Sequence, residues 1–554
     1  MQATDPALIE RVRDRVVTRI LRLPRAANRY QIIRAVRIPM RDGAELIADR
    51  YVPITSDPAH TVLIRSPYGR GYPFPHFYAA PLATRGFHVI VQSVRGTYGS
   101  AGAFEPAVNE AADGLDTVAW LRQQPWFTGR LATIGSSYLG MTQWALMQDP
   151  PPELAAAVVL AAPHDLSAAW ATGSFALADR LSYADGVAHE GERIGLSKRA
   201  RNLVKRRGVD KFASMMPLSA VGRAALGPDA PLFESWLTHP DRTDNFWEPQ
   251  RFDDALNRCR VPVLLINGWQ DLFLDQTLEQ YRRLRERGVE VALTIGPWVH
   301  ARMLRKGAST FVPEALDWLT SHVAGTAEMR RRTPVRIFVI GHGWVDLSDW
   351  PPVLPHRVFS LQPGGGLGDV APPAGAQPSS FAFDPAHPTP TIGGPLLEGG
   401  GYRDDTALAT RSDVVCFDGE PLTRDLYVIG EPLFELTHSA DNVHVDVFVR
   451  MSEVAANGQS TNVSEGFRRF SLDSPRRRAR VDIKLHAIAH RFQAGSRIRI
   501  IVAGGSHPRF ARNPGTGEPV ATAERLVPAT HYVHHGAGGT SQLLLPATDG
   551  PPFG

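Results

Sequence analysis

The chain has 554 residues, 43% of them apolar, which at about 100 to 200 residues per domain is enough for two to four domains with sizeable cores. A net charge of +4 over that length gives no field that would recruit nucleic acid, and the arginine-rich runs at 198–207, 330–332 and 476–480 lack interleaved aromatics and read as solvated faces. Two distant cysteines, Cys259 and Cys416, have no metal-type spacing, which argues against a disulfide framework and a zinc site and suits a reducing compartment.

Residues 6–25 read as an amphipathic, charged helix without the apolar segment of a secretory signal, and no later apolar run approaches the about 18 residues of a membrane span. A cytoplasmic protein with no membrane partner is the expectation. From about residue 31, strand-like and helical runs alternate as in βαβ units that build a parallel sheet. Strands are predicted over 32–38, 46–51, 60–65, 87–92, 131–134 and 156–161, with a helix over 110–124 that carries Leu115, Val118, Ala119 and Leu121 on one period. Between 163 and 250 the pattern turns helical, polar and arginine-rich, and strand character resumes at 261–266 and 289–295, so the middle segment reads as an insertion in the sheet. Beyond about residue 324 come short strand-like pieces such as 335–340, 426–428, 444–449, 481–485 and 497–502, separated by Gly, Pro, Asp and Asn, with a Pro/Gly-rich excursion at 363–401. That is all-β patterning of a sandwich or jelly roll.

The stretch LATIGSSYLGMTQW at 131–144 predicts a strand breaking sharply into a helix with Ser137 at the break. A serine there exposes its oxygen off the strand end, and the next amides lie at a helix N-terminus that favours a developing oxyanion. The match to G-x-S-x-G is imperfect, because Leu139 stands where the second glycine belongs and Gly140 follows one residue late. Ser136 is an alternative nucleophile, although Gly135 two residues before Ser137 and a bulky residue after it favour Ser137. A serine hydroxyl needs an imidazole to take its proton and a carboxylate to orient that imidazole. The run NGWQDLF puts Asp271 just past one predicted strand and GPWVH puts His300 just past the next. The order Ser137, Asp271, His300 is that of the α/β-hydrolases. For the oxyanion, the candidates are the backbone N–H of Tyr138 and the phenol of Tyr68 in LIRSPYGRG.

Together RSPYGRG, QSVRGTYGSAGAF, DGLDTVAWLRQQPWFTGRLATIGSSYLG, NGWQDLF, GPWVH, VRIFVIG with WVDLSDWPP, and SHPRFARNPGTG resemble the CocE/NonD serine hydrolases, a family that groups cocaine esterase, α-amino-acid ester hydrolases and Xaa-Pro dipeptidyl-peptidases. Its serine motif, G-x-S-Y-x-G, accommodates Leu139. The resemblance implies an α/β-hydrolase core at 31–162 and 251–325 after an N-terminal helical extension at 1–30, a helical cap at 163–250 and a C-terminal all-β jelly roll at 326–554. It also implies that Tyr68 lends its hydroxyl to the oxyanion hole. Ser93 stands where the family often has Asp in Q-D-x-R-G, a change expected to alter local hydrogen bonding and not the triad.

Family members that take free α-amino acyl groups carry carboxylates two and three residues after the triad Asp; here those positions are Phe273 and Leu274. Apolar residues there resemble the cocaine-esterase arrangement, an aromatic wall for the acyl group that Trp170 and Phe175 of the cap would extend, with Asp275 as the one nearby carboxylate. The expectation is a serine hydrolase that cleaves small-molecule esters or amides through an acyl-enzyme, with no metal and no cofactor. An Xaa-Pro dipeptidyl-peptidase, a β-lactam side-chain acylase and a carbohydrate- or partner-binding jelly-roll protein are the alternatives, and a homo-oligomer is left open.

Overall fold

Aliphatic and β-branched runs build the sheet of the first of two units into which the chain divides. The computed structural model describes residues 3–71, 73–188, 215–227, 231–325, 328–536 and 539–553. The first unit takes residues 1–166, 245–268 and 273–336, the second 167–244, 269–272 and 337–554.

The predicted strands of the first unit form as β1 (Arg29–Pro39), β2 (Glu45–Ile54), β3 (Thr61–Ser66), β4 (His88–Ser93), β5 (Leu131–Ser136), β6 (Leu154–Leu160), β7 (Val263–Gln270) and β8 (Val291–Val299). Their order is β1-β2-β4-β3-β5-β6-β7-β8. β1 and β2 are antiparallel to their neighbours, whereas β4, β3, β5, β6 and β7 run parallel. Every residue of β3, β4, β5 and β7 is buried, which explains why these strands read as continuous apolar runs and not as alternating ones. β5 is longer than its apolar run because pairing with β6 continues to Ser136 opposite Leu160. The predicted helix over 110–124 ends earlier, as Glu110–Arg122, since Pro125 disfavours helical geometry in the residue before it. The N-terminal helix spans Leu8–Ile20. Among the described residues no helix is long and apolar enough to cross a membrane.

The second unit is dominated by antiparallel strands, with His444–Val454 paired along its length to Ser460–Ser471 on one side and, from Phe448 to Val454, to Arg497–Ala503 on the other. Phe381, Phe417, Phe434, Val449, Ile500 and Leu543 belong to its apolar core. The helical segment of this unit is tied to a late loop: Ser174 Oγ donates to the Ala511 carbonyl at 2.8 Å, the Ala178 amide to Pro508 at 3.0 Å, and the Ala511 amide to Phe175 at 2.9 Å. That loop is the SHPRFARN motif, so its place in the sequence pattern has a structural cause.

His438, His531, His534 and His535 are among the buried histidines of this unit, and His438 Nε2 lies 3.0 Å from His531 Nδ1. Burial pushes His531 down to about 4 and His438 in the same direction. These rings are neutral in the fold and protonate readily once unfolded, so between about pH 6.5 and 4 the unfolded chain binds more protons and stability falls with falling pH. His531 alone is expected to account for about 3 kcal/mol by pH 4. Urea unfolding followed from pH 7 to 4 is expected to show the midpoint dropping across that window, less steeply in His531→Gln.

The cysteines form no disulfide, and burial raises both thiols, Cys416 to about 11, which leaves them poor nucleophiles. Of the arginine-rich runs, 198–207 lies outside the described residues. The other two engage local carboxylates, with Arg331 at 3.3 Å from Glu314, Arg477 at 3.1 Å from Asp473 and Arg480 at 2.7 Å from Glu435.

Candidate active site

Between β5 and the helix Tyr138–Leu146 the chain turns through a single residue, Ser137, at φ 56° and ψ −124°. A non-glycine residue in that region costs on the order of 1–3 kcal/mol and persists only where its surroundings impose it. They do so here: the Ser137 amide donates to the Leu160 carbonyl at 2.9 Å, and the Met141 amide to the Ser137 carbonyl at 3.0 Å. The flanking glycines let the helix lie this close to the sheet. A Cβ on Gly135 would sit 2.4 Å from Leu139 Cβ, and one on Gly140 would sit 2.4 Å from Ala162 Cβ. Ser136 is the last, buried residue of β5, whereas Ser137 is half-buried and its Oγ lies 3.0 Å from His300 Nε2.

His300 follows β8 directly and is half-buried. The end of β7 packs closely on β8, since a Cβ on Gly268 would meet the Trp298 carbonyl oxygen at 2.4 Å. The Phe273 ring stands edge-on to the His300 ring with centroids 5.4 Å apart. Asp271 follows β7 directly and is buried, 1% exposed. Leu274 is buried at the first position of the helix Leu274–Glu286, and Asp275 beside it is exposed.

Tyr68 follows β3, the strand beside β5, so its loop leaves the same edge of the sheet as the serine turn. Its amide donates to Ser66 Oγ at 3.0 Å, and its half-buried ring meets the Tyr138 ring edge-on at 6.5 Å. Tyr138 is anchored from the opposite end. Its hydroxyl donates to Glu110 Oε1 at 2.8 Å and accepts from the Ala107 amide at 2.9 Å. Glu110 in turn has Arg65 Nη2 2.9 Å from its Oε2, with both side chains at most 3% exposed. Burial raises the Glu110 carboxyl above its ordinary range, and Arg65 and the Tyr138 hydroxyl pull the other way. Neither Arg65 nor Glu110 stood out in the sequence as a site residue.

At the position where the family often has Asp, Ser93 Oγ accepts from Arg70 Nη1 at 2.6 Å, and Asp49 Oδ1 lies 3.3 Å from Arg70 Nε, so the arginine of RSPYGRG keeps a carboxylate from β2. Trp170 and Phe175, expected in the acyl wall, are buried in the second unit. Their rings lie 5.0 Å apart, Phe175 meets Phe233 edge-on, and the Trp170 indole N–H donates to the Trp236 carbonyl at 3.0 Å.

One cluster of described residues has metal-type donors: His164, Asp253 and Glu279, with ligand atoms within 4.8 Å of one another. Arg283 Nη1 already stands 2.8 Å from Asp253 and 3.4 Å from Glu279. The Gln280 side-chain amide donates to Ala162 at 2.9 Å and to His164 Nδ1 at 3.2 Å, which leaves the ring proton on the Nε2 that faces the carboxylates. The cluster therefore reads as an ion-pair network with a cation in place, not as a metal site.

Residues 42–302 match the model of the X-Pro dipeptidyl-peptidase (S15) family, and residues 327–544 match that of the X-Pro dipeptidyl-peptidase C-terminal non-catalytic domain. The chain thus carries an S15-type domain followed by the C-terminal domain named for the same peptidases. Cocaine esterase of Rhodococcus sp. (strain MB1 Bresler) is 28% identical over 93% of this chain and 98% of its own. Among solved structures, an aminopeptidase from a marine sediment Thaumarchaeota archaeon superposes with a TM-score of 0.81 at 22% identity, covering 95% of this chain and 98% of that one. An α-amino acid ester hydrolase superposes at 0.80 and 24% identity, covering 94% and 97%. These two likenesses establish the shared α/β-hydrolase fold with its C-terminal β domain.

Proposed function

We propose that the protein hydrolyses carboxylic esters, and more slowly amides, of small molecules through an acyl-enzyme on Ser137. The observation that carries this reading is the 3.0 Å approach of His300 Nε2 to Ser137 Oγ at a strained strand-to-helix turn. In this mechanism His300 takes the serine proton as Oγ attacks the carbonyl, protonates the leaving alcohol, and then activates water to release the acid. Asp271, placed after β7 in the expected chain order and buried, holds the imidazole in the tautomer with its proton on Nδ1 and stabilises the imidazolium. The Tyr138 N–H, in the first turn of a helix where amides have no acceptor within the helix, and the Tyr68 hydroxyl receive the oxyanion. The catalytic core comprises 31–162 and 251–325, with 163–250 as cap and 326–554 as jelly roll.

Phe273, edge-on to His300, supplies an aromatic wall for the acyl group. Phe273 and Leu274 occupy the two positions where an ammonium-binding enzyme needs carboxylates, so an uncharged acyl group is the better substrate and an ester like that named for the Rhodococcus relative is the nearest model. Steady-state hydrolysis of p-nitrophenyl acetate, butyrate and benzoate beside Ala-Pro-p-nitroanilide tests this. Preference for the larger apolar esters supports it, and faster cleavage of the dipeptide anilide overturns it in favour of a peptidase. With the preferred ester, Tyr68→Phe is expected to lower kcat about 100- to 1,000-fold with little change in KM, because the lost donor serves the transition state and not the ground state.

A further inference from the structure

The N-terminal helix Leu8–Ile20 docks with its charged side inward. Toward the protein, Arg13 contacts His76 Nε2, Asp14 accepts from the Tyr30 hydroxyl at 2.7 Å, and Glu10 caps the Ala7 amide at 2.8 Å while lying 3.5 Å from Arg34. Outward, Leu8 is 71%, Ile9 68%, Val12 50%, Val16 49% and Ile20 66% exposed. These are five of the thirteen exposed large apolar side chains among the described residues. Four of them, Leu8, Val12, Val16 and Ile20, recur every fourth residue, so with Ile9 they form a single stripe covering about 120° of the helix. Arg11, Arg15 and Arg19 are exposed along one flank of that stripe, Arg22 and Arg25 continue beyond it, and none of the five guanidiniums has a carboxylate within 4.0 Å among the described residues. The two acids of the helix, Glu10 and Asp14, are on the docked side.

We propose that this helix holds the protein on the surface of an anionic lipid bilayer, lying in the headgroup region with its aliphatic stripe among the acyl chains and its arginines among the headgroup phosphates and carboxylates. An apolar face bordered by unpaired cations is the chemistry that anionic bilayers select. A second copy of the chain fits less well. The helix is about 20 Å long and about 10 Å wide, and its outward face is far smaller than the about 800 Å² per partner of a stable interface. Antiparallel pairing through the stripe would also set the two arginine rows against each other. Attachment of this kind lies on the membrane and does not cross it, so it departs from the expectation of no membrane partner while agreeing with the lack of a spanning helix among the described residues. With aliphatic side chains only and a short helix, binding is reversible and weakens with salt.

The test is co-sedimentation of the full chain with unilamellar vesicles of phosphatidylcholine alone and of phosphatidylcholine with phosphatidylserine at three to one, at low and high ionic strength. Binding is expected to the phosphatidylserine vesicles only, reduced by salt and abolished by Val12→Glu with Val16→Glu. Replacing Arg11, Arg15 and Arg19 together with Gln is expected to weaken it about 100-fold, near fivefold per arginine. Both variants should keep the wild-type Tm and the wild-type turnover of soluble p-nitrophenyl butyrate, so a failure of the ester-hydrolase reading leaves this result unaffected. Equal binding to both kinds of vesicle, no binding to either, or wild-type binding by the glutamate variant overturns the proposal. A concentration-dependent dimer in sedimentation velocity that the glutamate variant abolishes, without lipid binding, gives the stripe to a second copy and overturns it as well.

Discussion

Ser137→Ala is expected to lower kcat for ester hydrolysis about a million-fold, equivalent to about 8 kcal/mol of transition-state stabilisation, and to abolish labelling by a fluorophosphonate probe. The size follows from the serine and histidine acting as a unit: without Oγ there is no covalent path, and His300 has no proton to accept. Residual hydrolysis of about a thousandfold over water is the expectation if the oxyanion donors still bind the carbonyl. The variant is a clean test because alanine pays the same backbone cost as serine at φ 56°, and the hydrogen bonds that impose the turn come from the Ser137 backbone. Its Tm is therefore expected to match the wild type. Ser136→Ala, at a strand residue whose backbone pairs with Leu160, is expected to keep most of the activity. If Ser136→Ala were the silent enzyme and Ser137→Ala the active one, the assignment of the nucleophile would be reversed.

The strands that lead to Ser137, Asp271 and His300 were legible in the sequence because each contains a buried apolar run, but their ends were not: they continue to Ser136, Gln270 and Val299, past the predicted 134, 266 and 295. The chain order of those three residues then limited the fold. The residues that support them were not legible. Glu110 opens a helix, where an acid is the ordinary complement to the helix dipole, and nothing nearby in sequence marks it as buried. Its partner Arg65 lies 45 residues away on β3, and the two meet only once β3 has paired with β5 and the helix has packed over the sheet. Period alone also leaves the orientation of the N-terminal helix open. It shows an apolar stripe but not which way that stripe faces, and polar contacts from Tyr30 and His76 decide the orientation. Aromatic side chains in the helical insertion are similarly ambiguous, and Trp170 and Phe175 prove to be packed on one another.

Glu110→Ala is expected to destabilise the protein by about 3–5 kcal/mol, because it strands the Arg65 guanidinium, 1% exposed, without its carboxylate. Urea unfolding at pH 7 measures this directly. The same substitution removes the acceptor of the Tyr138 hydroxyl, the distal anchor of the residue whose amide is assigned to the oxyanion. A shift of that amide by a fraction of an ångström weakens a donor that matters mainly in the transition state, so kcat is expected to fall about 10- to 100-fold while KM changes little. Stability and positioning can be separated by replacing Arg65 and Glu110 together with Met. Exchanging a buried ion pair for apolar side chains of similar volume is often neutral or stabilising, so the double variant is expected to recover most of the lost stability. It restores no acceptor for Tyr138, and kcat is expected to stay low. Tyr138→Phe, which removes the hydroxyl and leaves the ion pair intact, is expected to reproduce the kcat loss without the full stability loss. A stable double variant with wild-type kcat would mean that the Arg65–Glu110 pair serves the fold alone, and that the amide of Tyr138 is held in place by the strained turn at Ser137.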